Sequence, residues 1–256
     1  MPKPKILIIK MGSTYRELIS QYGDFDRWIL NSVKELPIKF KVQKIDYVVP
    51  ESMAQYQGVI FTGAHKSLTG IYPFVKGAAR ILEYILDLKI FTLGICFGHQ
   101  IINQLLGGKV IRNPLGPEIG LSTIQLTLSG MVDPLFKGLQ RAKIQIYSSH
   151  FDIVTSLAEG MECLAWNEQT KIQATRYQSF LYTTQFHPEY TKEIMTYYIR
   201  KNQDILLEEH YRNPLHILKP DEALHQNKRI KSGIRILENF LTLIIQSWNR
   251  KEICNQ

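Results

Sequence analysis

Two stretches of this chain hold side chains suited to breaking an amide bond. In Phe91-Thr-Leu-Gly94-Ile-Cys96-Phe-Gly98-His-Gln100 a thiol sits between two glycines. An apolar run leading into Gly-x-Cys-x-Gly, with helix-forming residues directly after it, is the pattern of a nucleophile elbow carrying sulfur instead of a serine hydroxyl. The glycines let the backbone turn sharply and leave room for a substrate to reach the sulfur. A helix N-terminus at Cys96 surrounds the sulfur with unpaired amide N–H groups and the positive end of a dipole, which favour the thiolate.

A thiolate acting on an amide also needs an acid to protonate the departing nitrogen and a base to activate water afterwards. Of seven histidines, His187 in Gln185-Phe-His187-Pro-Glu189-Tyr-Thr191 stands out. In extended chain, positions i and i+2 face the same way, so Glu189 can lie beside the imidazole and fix its tautomer. Pro188 has no N–H and ends the strand ladder there. His65 and His99 have no carboxylate at i+2. His150 has Asp152, so His150–Asp152 is the one internal competitor to His187–Glu189. No cluster has metal-ligand spacing, and neither a metal nor a cofactor is expected.

The elements around these residues alternate. Lys5 to Lys10 reads as a buried strand, Phe40 to Val49 as a second, Gly58 to Thr62 as a third and Lys89 to Ile95 as a fourth. A helix is expected from Phe25 or Asp26. Pro73 to Leu88 puts Val75, Ala78, Ala79, Leu82, Ile85 and Leu86 on one face, and Gly98 to Leu106 is a helix stopped by Gly107-Gly108. This alternation predicts a mostly parallel sheet with helices on both faces. From Lys109 to Phe186 the pattern shifts to short strands: Ser122–Leu128, Lys143–Tyr147, Glu162–Trp166, Ile172–Tyr177 and Leu181–Phe186. They extend the sheet or add a small second one. Beyond Thr191 the chain is helical, with Asp221 as a helix cap and an apolar stripe of Ile230, Ile234, Leu237, Leu241, Ile244 and Trp248. The stripe reads as a helix packed on the body. We expect one domain over 1–195 and a helical extension over 196–256.

Composition sets limits. Of 256 residues, 45% are hydrophobic and 21% charged, which excludes a disordered chain. The net charge is +8, but the basic residues are scattered and not interleaved with aromatics, so a nucleic-acid role is not expected. The three cysteines lie far apart without C-x-x-C spacing, which suits a reducing compartment and argues against a disulfide framework. The apolar run at the N-terminus is too short for a signal peptide, and Phe240 to Ile245 is far short of a membrane span. A cytoplasmic protein without membrane contact is expected. Oligomeric state is not legible, and a homo-oligomer is compatible with the sequence.

The cysteine turn and His187-Pro-Glu189 together resemble the class I glutamine amidotransferases, in that order and at that distance, over about Lys5 to Thr191. The resemblance is nearest to the glutaminase domain of GMP synthase and its stand-alone relatives. Tyr22-Gly-Asp-Phe-Asp26 and His187-Pro-Glu-Tyr-Thr191 are similar to the stand-alone branch, which includes plant γ-glutamyl peptidases. The resemblance implies a flavodoxin-like three-layer sandwich and a Cys96–His187–Glu189 triad acting on glutamine or a γ-glutamyl bond. It implies an oxyanion hole from the amides of Gly63 and Phe97, and substrate contacts from Gln100 and from Ser149, His150, Phe151 and Asp152. Gly63-Ala-His65 departs from the Gly-Gly-Pro or Gly-Ser-Pro common in the family. The sequence has no Gly-x-x-x-x-Gly-Lys-Ser/Thr loop and no Ser-Gly-Gly-x-Asp-Ser loop. A synthase that uses released ammonia is therefore expected on a separate chain. The alternatives are a γ-glutamyl peptidase and a binding module without turnover.

Overall fold

The computed structural model describes residues 3–68, 74–139 and 143–254. Among them a nine-stranded sheet runs in the order β2-β1-β3-β4-β11-β10-β9-β6-β7. Its parallel half is β1 (Lys5–Lys10), β2 (Lys39–Lys44), β3 (Gly58–Phe61), β4 (Phe91–Ile95) and β11 (Leu181–Thr184). Its antiparallel half adds β10 (Ala174–Tyr177), β9 (Met161–Trp166), β6 (Glu118–Leu126) and β7 (Ile144–His150). A second sheet pairs β5 (Lys109–Arg112) with β8 (Asp152–Ser156). The large sheet is thus mixed and mostly parallel at its centre, with helices on both sides.

Alternation along β1 builds both layers. Ile6 and Ile8 pack in one apolar cluster, Leu7 and Ile9 in another, because successive side chains in a strand point to opposite faces. The second cluster is closed by α3 (Phe74–Leu88), through Ile81, Leu82 and Ile85, and by α4 (Phe97–Leu105). The first is closed by α2 (Phe25–Ser32) and by α9 (Ser232–Cys254), whose Ile236, Leu237, Phe240, Leu241 and Ile244 are buried. The remaining helices are α1 (Arg16–Tyr22), α5 (Leu128–Val132), α6 (Lys192–Lys201), α7 (Gln203–Arg212) and α8 (Pro220–Gln226). None of the described helices is long and apolar enough to cross a membrane.

Several boundaries differ from those expected. The strand read over Phe40–Val49 stops at Lys44, level with the end of its partner β1 at Lys10, and the chain winds into 3-10 turns at Ile45–Tyr47 and Pro50–Gln55. Strands β5 and β8, and helix α1, carry no signal in the sequence. Asp221 is not the cap of α8. Lys219 is, with Pro220 in the first helical position and Glu222 accepting from the Lys219 N–H at 3.0 Å. Proline fits there because that N–H has no helical partner in any case. Ile230 precedes α9, and the buried face of that helix includes Ile236 and Phe240 instead. Pro73, expected to open α3, lies outside the described residues.

Candidate active site

The site lies just past the carboxyl ends of β3, β4 and β11, where ligands of open parallel sheets bind. β4 delivers Cys96, whose N–H donates to Thr184 O at 2.8 Å on the neighbouring β11. Its backbone has a positive φ, with φ 51° and ψ −99°. A residue with a side chain holds that conformation only where its surroundings enforce it. Here they do, because α4 crosses β3 and β4 very closely. A Cβ on Gly98 would sit 2.6 Å from Phe61 O, and one on Gly94 2.7 Å from Gly98 O. Both glycines are steric requirements of the turn. Cys96 is 7% exposed, and its sulfur lies 3.9 Å from Ser149 O. Phe97, fully buried, holds the first helical position, so its amide is one that a helix leaves unpaired.

β11 leads into the partner residues. His187 donates its backbone N–H to Tyr147 O at 2.9 Å, and its Nδ1 lies 2.7 Å from Glu189 Oε1. Both side chains are almost fully buried. The imidazole stacks on Tyr190, with ring centroids 3.9 Å apart, and lies near-parallel to Phe25 at 5.9 Å. Burial pulls its pKa down, but the neighbouring Glu189 and Cys96 outweigh that and push it up to about 10. Gly63, which follows β3, backs directly on the ring. A Cβ there would approach His187 Cε1 to 2.9 Å.

The other histidines are held differently. His99 is completely buried, its Nδ1 2.6 Å from Thr183 Oγ1, and burial lowers its pKa to about 3. His65 Nε2 shares a hydrogen bond with Tyr198 Oη at 2.8 Å, and burial, followed by the charge of His187, brings its pKa down to about 4. His150 does not pair with Asp152, as its i+2 spacing suggested. They belong to successive strands β7 and β8, and His150 Nε2 instead lies 3.2 Å from Glu118 Oε2 on the neighbouring β6. Glu118 also accepts from Asn167 at 2.7 Å and from Thr170 and Gln173 at 2.9 Å each. Burial alone would raise its pKa, but His150 and the other donors hold it at about 2.

Beside the sulfur opens a cavity of about 460 Å³, lined among others by Tyr15, His65, Gln100, Arg112, Ser149 and Tyr198. His150, Phe151 and Asp152 also face it. Gln100 donates to Asp152 O at 2.9 Å and to Gln185 Oε1 at 3.2 Å. The structure therefore places Cys96, Gln100 and residues 149–152 on one cavity, while Gly63 and Glu189 lie against the His187 ring. A match to a model of the class I glutamine amidotransferase family spans residues 17–204, most of the chain. The chain belongs to that family.

Within it, the chain is 28% identical over 186 residues to γ-glutamyl peptidase 5 of Arabidopsis thaliana, covering 72% of this chain and 70% of that one. It is 32% identical over 173 residues to a Saccharolobus solfataricus protein named as one subunit of a glutamine-hydrolysing GMP synthase, covering 67% and 87%. Of three longer proteins named glutamine-hydrolysing GMP synthase that also match, the chain spans only about a third. The crystal structure of a glutamine amidotransferase from Thermotoga maritima superposes with a TM-score of 0.69 at 20% identity, over 96% of this chain and 99% of that one, and shares its fold.

Four residues near the site, Ser67, Arg112, Glu118 and Tyr198, had no part in the expectations from sequence. Ser67 donates to Asp152 Oδ2, and Tyr198 Oη also hydrogen-bonds Thr14 Oγ1 at 2.7 Å. Their partners are distant in sequence, so no local spacing offered a signal.

Proposed function

We propose that this family member hydrolyses the side-chain amide of glutamine through a γ-glutamyl thioester on Cys96. The observation that carries the reading is the buried 2.7 Å contact between His187 Nδ1 and Glu189. It fixes the tautomer and leaves Nε2 free for the sulfur of a strained elbow. Cys96 Sγ attacks the γ-carbonyl carbon, and the amides of Gly63 and Phe97 hold the oxyanion. An aimed donor of this kind is worth about 3 kcal/mol of barrier. The C–N bond then breaks and ammonia leaves with a proton from His187. His187 next takes a proton from water, whose oxygen displaces sulfur and releases glutamate. Glu189 orients the imidazole.

A second reading has specific support. The Arabidopsis relative is named a γ-glutamyl peptidase, and a 460 Å³ cavity is roomier than a single small amide requires. On that reading an amine replaces ammonia and the residues keep their roles. The archaeal relative is named as one part of a synthase, which supports transfer of ammonia to a separate synthase chain if glutamine is the substrate.

Glutamate release from L-glutamine and from a γ-glutamyl dipeptide, compared between wild type and Cys96→Ala, tests both. Wild type is expected to release glutamate from at least one substrate and the variant from neither. Equal release by the two proteins would sink the Cys96 mechanism, and no release by either would favour a module without turnover.

A further inference from the structure

Behind the catalytic imidazole stands a buried tyrosine to which the chemistry at Cys96 gives no role. Tyr198, on α6, is 2% exposed. Its Oη lies 2.7 Å from Thr14 Oγ1 and 2.8 Å from His65 Nε2. A phenol can donate to one partner and accept from the other, so both contacts are met at once. Its ring stacks on Tyr190, with centroids 5.2 Å apart, and Tyr190 in turn stacks on His187. One side chain thus joins the layer backing the base to the loop that follows β3.

That loop, Gly63–Ser67, lies outside any helix or strand, and consecutive side chains tie it down. His65 reaches Tyr198, Lys66 donates to Met11 O at 3.0 Å, and Ser67 donates to Asp152 on β8. The loop also packs on Gly12, where a Cβ would meet Ala64 Cβ at 2.7 Å. Of these ties, that of His65 is nearest to Gly63 in the chain. The His65 ring is exposed at the cavity wall and meets Tyr15 edge-on, with centroids 4.4 Å apart. Tyr198 Oη is buried and fixed by Thr14, so the tyrosine is the anchor and the histidine the part held. His65 stands where the resemblance leads one to expect proline, and here a hydrogen bond supplies the restraint that a ring-fixed φ would give.

From this we infer that Tyr198 is a positioning residue: through His65 it holds the Gly63–Ser67 loop, and with it the Gly63 amide, in register with Cys96 and His187. An oxyanion donor lowers a barrier only if it is in place before the charge develops. Gly63 also backs on the His187 ring, so a shift of the loop disturbs donor and base together. The inference rests on the proposed function, in which that amide receives the oxyanion.

The test compares wild type with His65→Ala, His65→Gln, Tyr198→Phe and the double variant His65→Ala/Tyr198→Phe. Glutamate release is followed on whichever of L-glutamine and a γ-glutamyl dipeptide wild type turns over. His65→Ala and Tyr198→Phe should each lower kcat about 10- to 100-fold, with KM changed less than about threefold. The double variant should be no slower than Tyr198→Phe, since His65→Ala has nothing left to break once Oη is gone. His65→Gln should recover part of kcat. Alkylation of Cys96 by iodoacetamide displaces iodide and builds no oxyanion, so its rate should hold in every variant. Amide hydrogen exchange over residues 61–68 should quicken in His65→Ala and Tyr198→Phe. Unchanged kcat, additive losses in the double variant, or alkylation slowing in step with kcat would overturn the inference. Should wild type release no glutamate, the catalytic reading fails and exchange decides alone. Quicker exchange confined to residues 61–68 then supports the anchor, and unchanged exchange overturns it.

Discussion

His187 is completely enclosed, a setting that by itself favours neutral imidazole, yet Glu189 and Cys96 keep its pKa near 10. The folded value is above the ordinary value of 6.5, so its stabilisation is fully present below pH 6.5 and is lost as pH rises through about 10. Glu189→Gln removes the largest raising cause. Its destabilisation relative to wild type should be greatest below pH 6.5 and shrink toward pH 10, as read by urea denaturation across that range. Glu118 has the opposite sign. Its pKa falls from 4.5 to about 2, so its contribution is complete above pH 4.5 and disappears as pH falls through about 2. Glu118→Gln should flatten the acid limb of the denaturation midpoint between those values, while wild type loses stability there. The contrast between the two carboxylates also marks what a sequence discloses. Glu189 lies two residues from its histidine, and Cys96 lies between its own glycines, so local spacing reveals them. His150 has a carboxylate at i+2 as well, but partners Glu118 on another strand. Only the pairing of β6 with β7 brings those two together, and no local pattern encodes it.

At the scale of elements, the elbow works because α4 approaches β3 and β4 as closely as glycine allows. Gly98→Ala would place a methyl 2.6 Å from Phe61 O and 2.8 Å from its Cβ. Backbone cannot give way as a flexible side chain can, so strand and helix must separate. A loss of about 1–3 kcal/mol is expected from overpacking of this kind, read as a lower thermal midpoint. Glutamate release should fall with it, because the same shift moves the Phe97 amide. A variant with unchanged midpoint and activity would show that the crossing can relax. This turn, α3, and strands β1, β3 and β4 were legible from apolar runs bounded by glycine. β5 and β8 were not, because four- and five-residue strands with charged ends carry too little periodicity. Those two strands hold Arg112 and Asp152, so part of the cavity's lining is also the part hardest to read.

The whole molecule raises the question of what the residues beyond the family match, which ends at Asp204, contribute. α9 lies there, yet Ile236, Leu237, Phe240, Leu241 and Ile244 share one cluster with Ile6, Ile60 and Leu93 of the central strands. The contact is close enough that a Cβ on Gly58, in β3, would come 2.4 Å from Ile244 Cδ1. Burying one such side chain fully is worth about 1.5–3 kcal/mol, and total stability of a domain is only about 5–15 kcal/mol. Five of them on one face of the sheet are therefore comparable to the whole margin by which the chain is folded. α9 thus completes a layer of the sandwich and is expected to be required for folding. A chain ending before Ser232 should lose its cooperative thermal transition and bind a dye specific for exposed apolar surface. Leu241→Ala in the full chain should fold with a loss of about 2–5 kcal/mol. Because Leu241 packs under the strands and not against the cavity, that variant should keep its activity well below its midpoint. A truncated chain that unfolds cooperatively and releases glutamate would instead make α9 a separable appendage.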